Sequence, residues 1–194
     1  MSRVLVTYST NAGSTADVAK SVADEIKLAG HEVDVMRTSE VTDLGKYETV
    51  VVGAPMILGW HGAAKMFVRR HQDELAAKKT AYFACAMRLT KADGERLPEF
   101  SLALDPNLAE EPAKPGSLSL KERFTTIGHY LGPMAGAAPK VKPLSVAFFK
   151  GKLEMFRLKW YQALFVMIVV QAVPGDYRDW EYIKTWAGEL SAKL

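Results

Sequence analysis

The chain predicts an α/β fold: a doubly wound sheet of five parallel strands with helices on both faces. Three observations lead there. Short apolar, β-branched runs such as Arg3 to Tyr8, Glu48 to Ala54 and Thr80 to Met87 have the uniform hydrophobicity of strands covered on both sides. Amphipathic helical stretches separate these runs, which is the rhythm of parallel βαβ units with right-handed crossovers. The 194 residues, 48% hydrophobic and 24% charged, have the balance of a soluble globular chain and suit one domain over 1–194.

The elements follow in order. Arg3 to Tyr8 is the first strand. Ser14 to Ala29 is a helix with Val18, Val22, Ile26 and Ala29 on one face. Ser14 with Asp17 resembles a capping box, and Gly30 stands where a helix ends. His31 to Arg37 alternates as a strand with one polar face, Glu48 to Ala54 is a buried strand, and Gly62 to Ala77 is helical. Thr80 to Met87 is the next buried strand. Lys91 to Ser119 then breaks the rhythm with Pro98, Pro106, Pro112, Pro115 and several acids, and is expected to be a long, mobile loop inserted in the domain. Leu120 to Leu131 is helical and Leu144 to Phe149 is the fifth strand. Leu153 to Val173 is a long apolar helix stopped by Pro174 and Gly175. Tyr177 to Leu194 is an amphipathic helix with Trp180, Ile183, Trp186, Ala187 and Leu190 inward.

Composition excludes several classes. A single cysteine, Cys85, leaves no disulfide framework and no Cys-rich metal site, and no metal is expected. A net charge of +3 is too small to argue for nucleic acid. The N-terminus enters Val4-Leu5-Val6 without an apolar leader, so the expected compartment is the cytoplasm.

The most informative segment is Ser9-Thr10-Asn11-Ala12-Gly13-Ser14-Thr15, between the first strand and the first helix. Open α/β sheets bind ligands beyond the carboxyl ends of their strands, where strand order reverses. Hydroxyls, an amide and the free N–H groups of a helix start suit a phosphate dianion. Read alone, the segment fits a phosphate site and a plain polar turn equally. The strings of a P-loop and of a dinucleotide fingerprint are absent.

With Thr10, Gly13 and Thr15 at the matching positions, the segment resembles the flavodoxin phosphate loop, T/S-x-x-G-x-T. Two more segments carry the resemblance. Pro55, Met56, Ile57, Leu58, Gly59 and Trp60 follow the third strand, where flavodoxin-like proteins hold the isoalloxazine ring. Ala86, Met87 and Arg88 stand where the family's third flavin loop lies. The pattern from Gly53 to His61, and Phe149-Lys150-Gly151-Lys152-Leu153 with Asp179-Trp180-Glu181, are similar to flavodoxin-like, menaquinone-dependent protoporphyrinogen oxidases.

The resemblance implies a flavodoxin-like fold, FMN as cofactor and an oxidoreductase acting on a small molecule, with a quinone as redox partner and a porphyrinogen-type substrate. Trp60 is expected to stack on the flavin rather than to cover the core edge. Arg88 is expected to offset flavin or substrate charge, or else to be a surface arginine. His61 reads as a helix-start residue, with proton donation the sharper alternative, and no catalytic residue is assigned. Cys85 reads as buried. The apolar run from Trp160 to Val173, preceded by Lys150, Lys152, Arg157 and Lys159, is expected to pack between the sheet and the last helix. The alternative is peripheral contact with the inner face of a membrane. An electron carrier without its own substrate is the second functional hypothesis, though such carriers tend to be acidic. A fold that binds no flavin is the third.

Overall fold

The computed structural model describes residues 1–57, 59–92, 100–154, 160–165, 167–168 and 173–194. Its main sheet contains the five expected strands, β1 (Arg3–Tyr8), β2 (Glu32–Arg37), β3 (Thr49–Pro55), β4 (Lys79–Ala86) and β8 (Ser145–Lys150). It also has a sixth. The order is β2-β1-β3-β4-β8-β6, all parallel, where β6 (Ser101–Leu104) comes from the inserted segment. Two further short strands, β5 (Leu89–Thr90) and β7 (Ala109–Glu110), pair with each other.

Strand alternation sends one set of side chains to each face. Val4, Val6, Val51, Phe83 and Phe149 meet Val18, Val22 and Ile26 of α1 (Ser14–Leu28) and Ile183, Trp186 and Leu190 of α7 (Trp180–Ser191). Leu5, Val50, Val52, Tyr82 and Phe148 face the other way. They are covered by α2 (Gly62–Arg70), α3 (Gln72–Ala76) and α5 (Ile127–Ala137), through Phe67, Leu75, Tyr130 and Met134. Gly53 of β3 has to be glycine. A Cβ there would stand 1.9 Å from the Phe83 ring.

Several expectations change in detail. The helix over 62–77 breaks at His71, and the helix over 120–131 becomes α4 (Leu120–Arg123) and α5, the latter restarted by the Thr126 cap. The capping box at Ser14 is absent. The N-cap is Gly13, left-handed at φ 94°, with no side-chain cap, and Asp17 pairs elsewhere.

The inserted segment is not a free loop in its described part. Asp105 is fully buried and accepts from the N–H groups of Asn107 (2.8 Å) and Lys150 (2.9 Å). Leu108 is also fully buried. Glu122 closes the segment. It accepts from the backbone N–H groups of Ala113 and Ser119, and its carboxyl is held down at about 2 chiefly by the Ala113 bond.

The long apolar helix is corrected too. Lys152–Leu153 (β9) pairs antiparallel with Gly175–Asp176 (β10), a short two-stranded neck. In the arm of chain between these strands, Trp160 and Tyr161 of α6 (Trp160–Phe165), Leu164, Met167, Ile168 and Val173 are between 42 and 78% exposed. They do not pack between the sheet and α7, because Trp186 of α7 already lies against Phe83 and Phe149 at ring centroid distances of 6.3 and 5.4 Å. Residues 155–159, Arg157 and Lys159 among them, and 166 and 169–172 of the expected helix lie outside the described residues.

Candidate functional site

The three loops singled out above gather at one end of the sheet, beyond the carboxyl ends of β1, β3 and β4. Strand order reverses at β1, which has β2 on one side and β3 on the other. The first loop is held by its own hydrogen bonds. Ser9 N–H donates to Gly53 O (2.9 Å), and Gly13 N–H donates to Thr10 Oγ1 (2.9 Å). The Thr10 hydroxyl thereby keeps its proton for another acceptor. The Gly13 turn aims the start of α1 at the loop. The Ala16 N–H returns to Gly13 O, and no side chain caps the groups before it. Ser9 Oγ is buried without a hydrogen-bond partner among the described residues, and the buried Thr15 hydroxyl meets the Cys85 thiol. Buried polar atoms are normally satisfied, so this cluster of donors fits an anion such as the FMN phosphate.

The second loop is tight. Met56 N–H donates to Cys85 O (2.8 Å), Met56 bridges Trp60, and Gly59 turns the chain at φ 96°. Leu58 lies outside the described residues. Ile57 and Gly59 are partly exposed. Met56 and Pro55 are buried. Trp60 does not present a face to the mouth of the site. It is 1% exposed and packs on Tyr82 at 5.3 Å, so the expected stacking platform is instead part of the core.

His61 is the N-cap of α2, accepting from Ala63 N–H at Nδ1. That contact leaves Nε2 as the donor, and it meets Asn11 Oδ1 at 3.0 Å, tying the second loop to the first.

In the third loop, Ala86 is buried and its carbonyl accepts from Gly151 N–H (2.9 Å). Met87 and Arg88 are partly exposed. Arg88 Nε is 3.1 Å from a Glu110 carboxylate oxygen of β7, so its charge is already engaged by the inserted segment. Cys85 is buried. Desolvation pushes its thiol up to about 12, against a smaller opposing pull from Thr15 and Arg178.

Arg178 is a residue that sequence reasoning did not single out. Its side chain is 7% exposed. Nε and Nη2 grip Asp176, while Nη1 donates to Ser14 O (3.2 Å) and Asp17 Oδ2 (2.9 Å) at the start of α1. The only signal in the sequence is an arginine set between Asp176 and Asp179 just before the last helix.

A parallel sheet with helices on both faces and a hydroxyl-rich, uncapped helix start at its switch point defines an α/β protein of the doubly wound class. The family model for the flavodoxin domain matches residues 5–178, and the chain belongs to the flavodoxin domain family. Its relatives include protoporphyrinogen IX dehydrogenase [quinone] of Escherichia coli strain K12, 22% identical over 97% of this chain and 94% of that protein. The protein of the same name from Leishmania major is 24% identical over 98% of this chain and 75% of its own length. Among solved structures, the Fusobacterium nucleatum flavodoxin bound to flavin mononucleotide matches with TM-score 0.51 and 11% identity, over 100% of this chain and 99% of that one. The oxidised flavodoxin 2 of Bacillus cereus matches with TM-score 0.50 and 14% identity, over 99% of both chains. These likenesses bear on the fold.

Proposed function

We propose that the chain is an FMN-dependent oxidoreductase that passes electrons from a porphyrinogen-type substrate to a quinone. The observation that carries the cofactor assignment is the uncapped start of α1 beside the partnerless, buried hydroxyl of Ser9. When bound, FMN would supply the redox chemistry, and the protein supplies position and electrostatics. Thr10, Asn11, Gly13, Ser14 and Thr15 would hold the phosphate. Pro55 to Gly59 and Ala86 to Arg88 would border the ring. His61 holds the Asn11 side chain in place for that task. The substrate and acceptor classes are supported by the names of the full-length relatives. A balance of 25 basic to 22 acidic residues argues against a carrier that docks through acidic charge.

We further propose that the apolar arm docks on an anionic lipid surface. Its exposed side chains project from a neck that starts beside the third loop, where Gly151 meets Ala86. From Lys140 to Trp160 the chain carries six basic residues against one acid, Glu154. Among the described residues three of them are engaged, Lys140 with Asp73, Lys152 with Glu154 and Lys150 with Asn107 O. Among the described residues no helix is long and apolar enough to cross a bilayer, so the contact would be peripheral.

The experiment is reconstitution with FMN, followed by anaerobic assay with porphyrinogen and a soluble quinone. A flavin spectrum together with quinone-dependent porphyrinogen loss is the expected result. Each charge-assisted hydrogen bond to phosphate contributes roughly 1.5–3 kcal/mol. Replacing Thr10 and Thr15 by alanine should therefore weaken FMN binding at least tenfold, ~1.4 kcal/mol. Unchanged affinity would sink the site assignment. The arm is tested by co-sedimentation with phosphatidylglycerol vesicles at low and high salt.

A further inference from the structure

A cation is held at the start of α1, on Ser14 O and Asp17. The Arg178 guanidinium is nearly closed off from solvent, with its plane over the Trp180 ring at 4.5 Å. One edge is taken by Asp176, and Nη1 holds both the carbonyl of Ser14 and the carboxylate of Asp17. Asp17 sits in the first turn of the helix whose free N–H groups face the ligand. A carboxylate there, unneutralised, would repel a phosphate dianion and weaken the field of the helix start. Ser14 and Arg178 are 164 residues apart, so the contact fixes the first turn of α1 against the chain that leaves the arm.

We propose that Arg178 is a positioning residue for phosphate recognition: it neutralises Asp17 and clamps the first turn of α1, so that the loop 9–15 accepts a dianion. This inference rests on the FMN reading above. It concerns the phosphate alone and makes no demand on the isoalloxazine ring. Removing the guanidinium leaves Asp17 uncompensated in the first turn of α1, and the penalty should fall on FMN and spare riboflavin, which lacks the phosphate.

The test is a fluorescence titration of the full chain with FMN and with riboflavin. Arg178→Gln should weaken FMN binding at least tenfold and change riboflavin affinity by less than twofold, with the loss growing at low salt. Asp17→Asn combined with Arg178→Gln should recover most of the FMN affinity, because the repelling charge has gone as well. Arg178→Lys keeps the charge and loses the fork, and should fall between. It also serves where Arg178→Gln does not fold. If FMN and riboflavin weaken equally and the double variant does not recover, Arg178 is only a structural brace and the proposal is wrong. If the unaltered protein favours FMN over riboflavin and the variants do too, to the same degree, the Arg178 role fails while the phosphate loop stands. An unaltered protein that binds no FMN, or binds FMN no better than riboflavin, overturns the phosphate reading and this role with it.

Discussion

Asp105→Ala should unfold the inserted segment from the sheet, and its size follows from the contacts. The carboxylate is fully buried and is the acceptor for two backbone N–H groups, those of Asn107 and Lys150. Alanine leaves both donors without their acceptor, the Lys150 N–H partly buried and Asn107 in an exposed turn, at no more than roughly 1–3 kcal/mol each. Removing a buried carboxylate also relieves its own desolvation, which places the net loss at about 3 kcal/mol, in the lower half of the range. For a chain of this size that is ~6–12 °C in Tm. Leu108→Ala, in the same turn, should cost ~2–5 kcal/mol by cavity formation. Urea unfolding followed by circular dichroism measures both. If each variant stays within ~0.5 kcal/mol of the unaltered protein, the value typical of surface positions, the segment is a lid outside the cooperative fold and the reasoning fails.

Three other outcomes follow from the site and its surroundings. Trp60→Ala should cost ~3–5 kcal/mol of stability, as a core deletion does, and leave the flavin spectrum of reconstituted protein unchanged; a shifted spectrum at full stability would restore the stacking role. Glu122 titrates at about 2 in the folded chain against 4.5 ordinarily, so its contribution to stability is complete above 4.5 and is lost as pH falls from there toward 2. Glu122→Gln should flatten the pH dependence of the urea midpoint in that window, and an unchanged slope would count against the capping role. The Cys85 thiol, held near 12 by burial, should be inert to Ellman's reagent at pH 8 in the folded protein and react once in denaturant; rapid reaction in the native state would contradict its burial.

Much of the fold was legible because parallel strands covered on both faces are hydrophobic along their whole length. Val4 to Val6 and Val50 to Val52 announce themselves that way. The phosphate loop was legible because its residues are consecutive. What was missed depends on contacts between distant parts of the chain. Nothing near Arg178 names Asp17, which lies 161 positions away. Trp60 stands between Gly59 and His61, so its surroundings read as a loop, and only the Tyr82 ring shows that the indole turns inward. Strand β6 is four residues long, sits between Pro98 and Pro106, and occupies the sheet edge, where strands need least hydrophobicity and tolerate nearby proline best. The absent capping box has a local reason. The left-handed Gly13 takes the N-cap position that Ser14 was expected to fill.

The arm is the element for which hydrophobicity alone pointed the wrong way. An apolar helix normally goes inside, but here both sheet faces are already covered, one by α1 and α7 and the other by α2, α3 and α5. Residues such as Leu164 and Ile168 therefore meet water, about half exposed each, on a neck that begins beside Ala86 at the candidate site. Apolar surface kept in water is the usual mark of a docking face. Because those side chains add little to the fold, Leu164→Ser with Ile168→Ser should change stability by less than ~0.5 kcal/mol, as surface substitutions do. The same pair should abolish binding to phosphatidylglycerol vesicles and leave oxidation by a soluble quinone intact, while oxidation by a quinone confined to the bilayer falls. A loss of stability above ~2 kcal/mol, the scale of a buried aliphatic truncation, would show that the arm belongs to the core after all and would remove the lipid surface from the account.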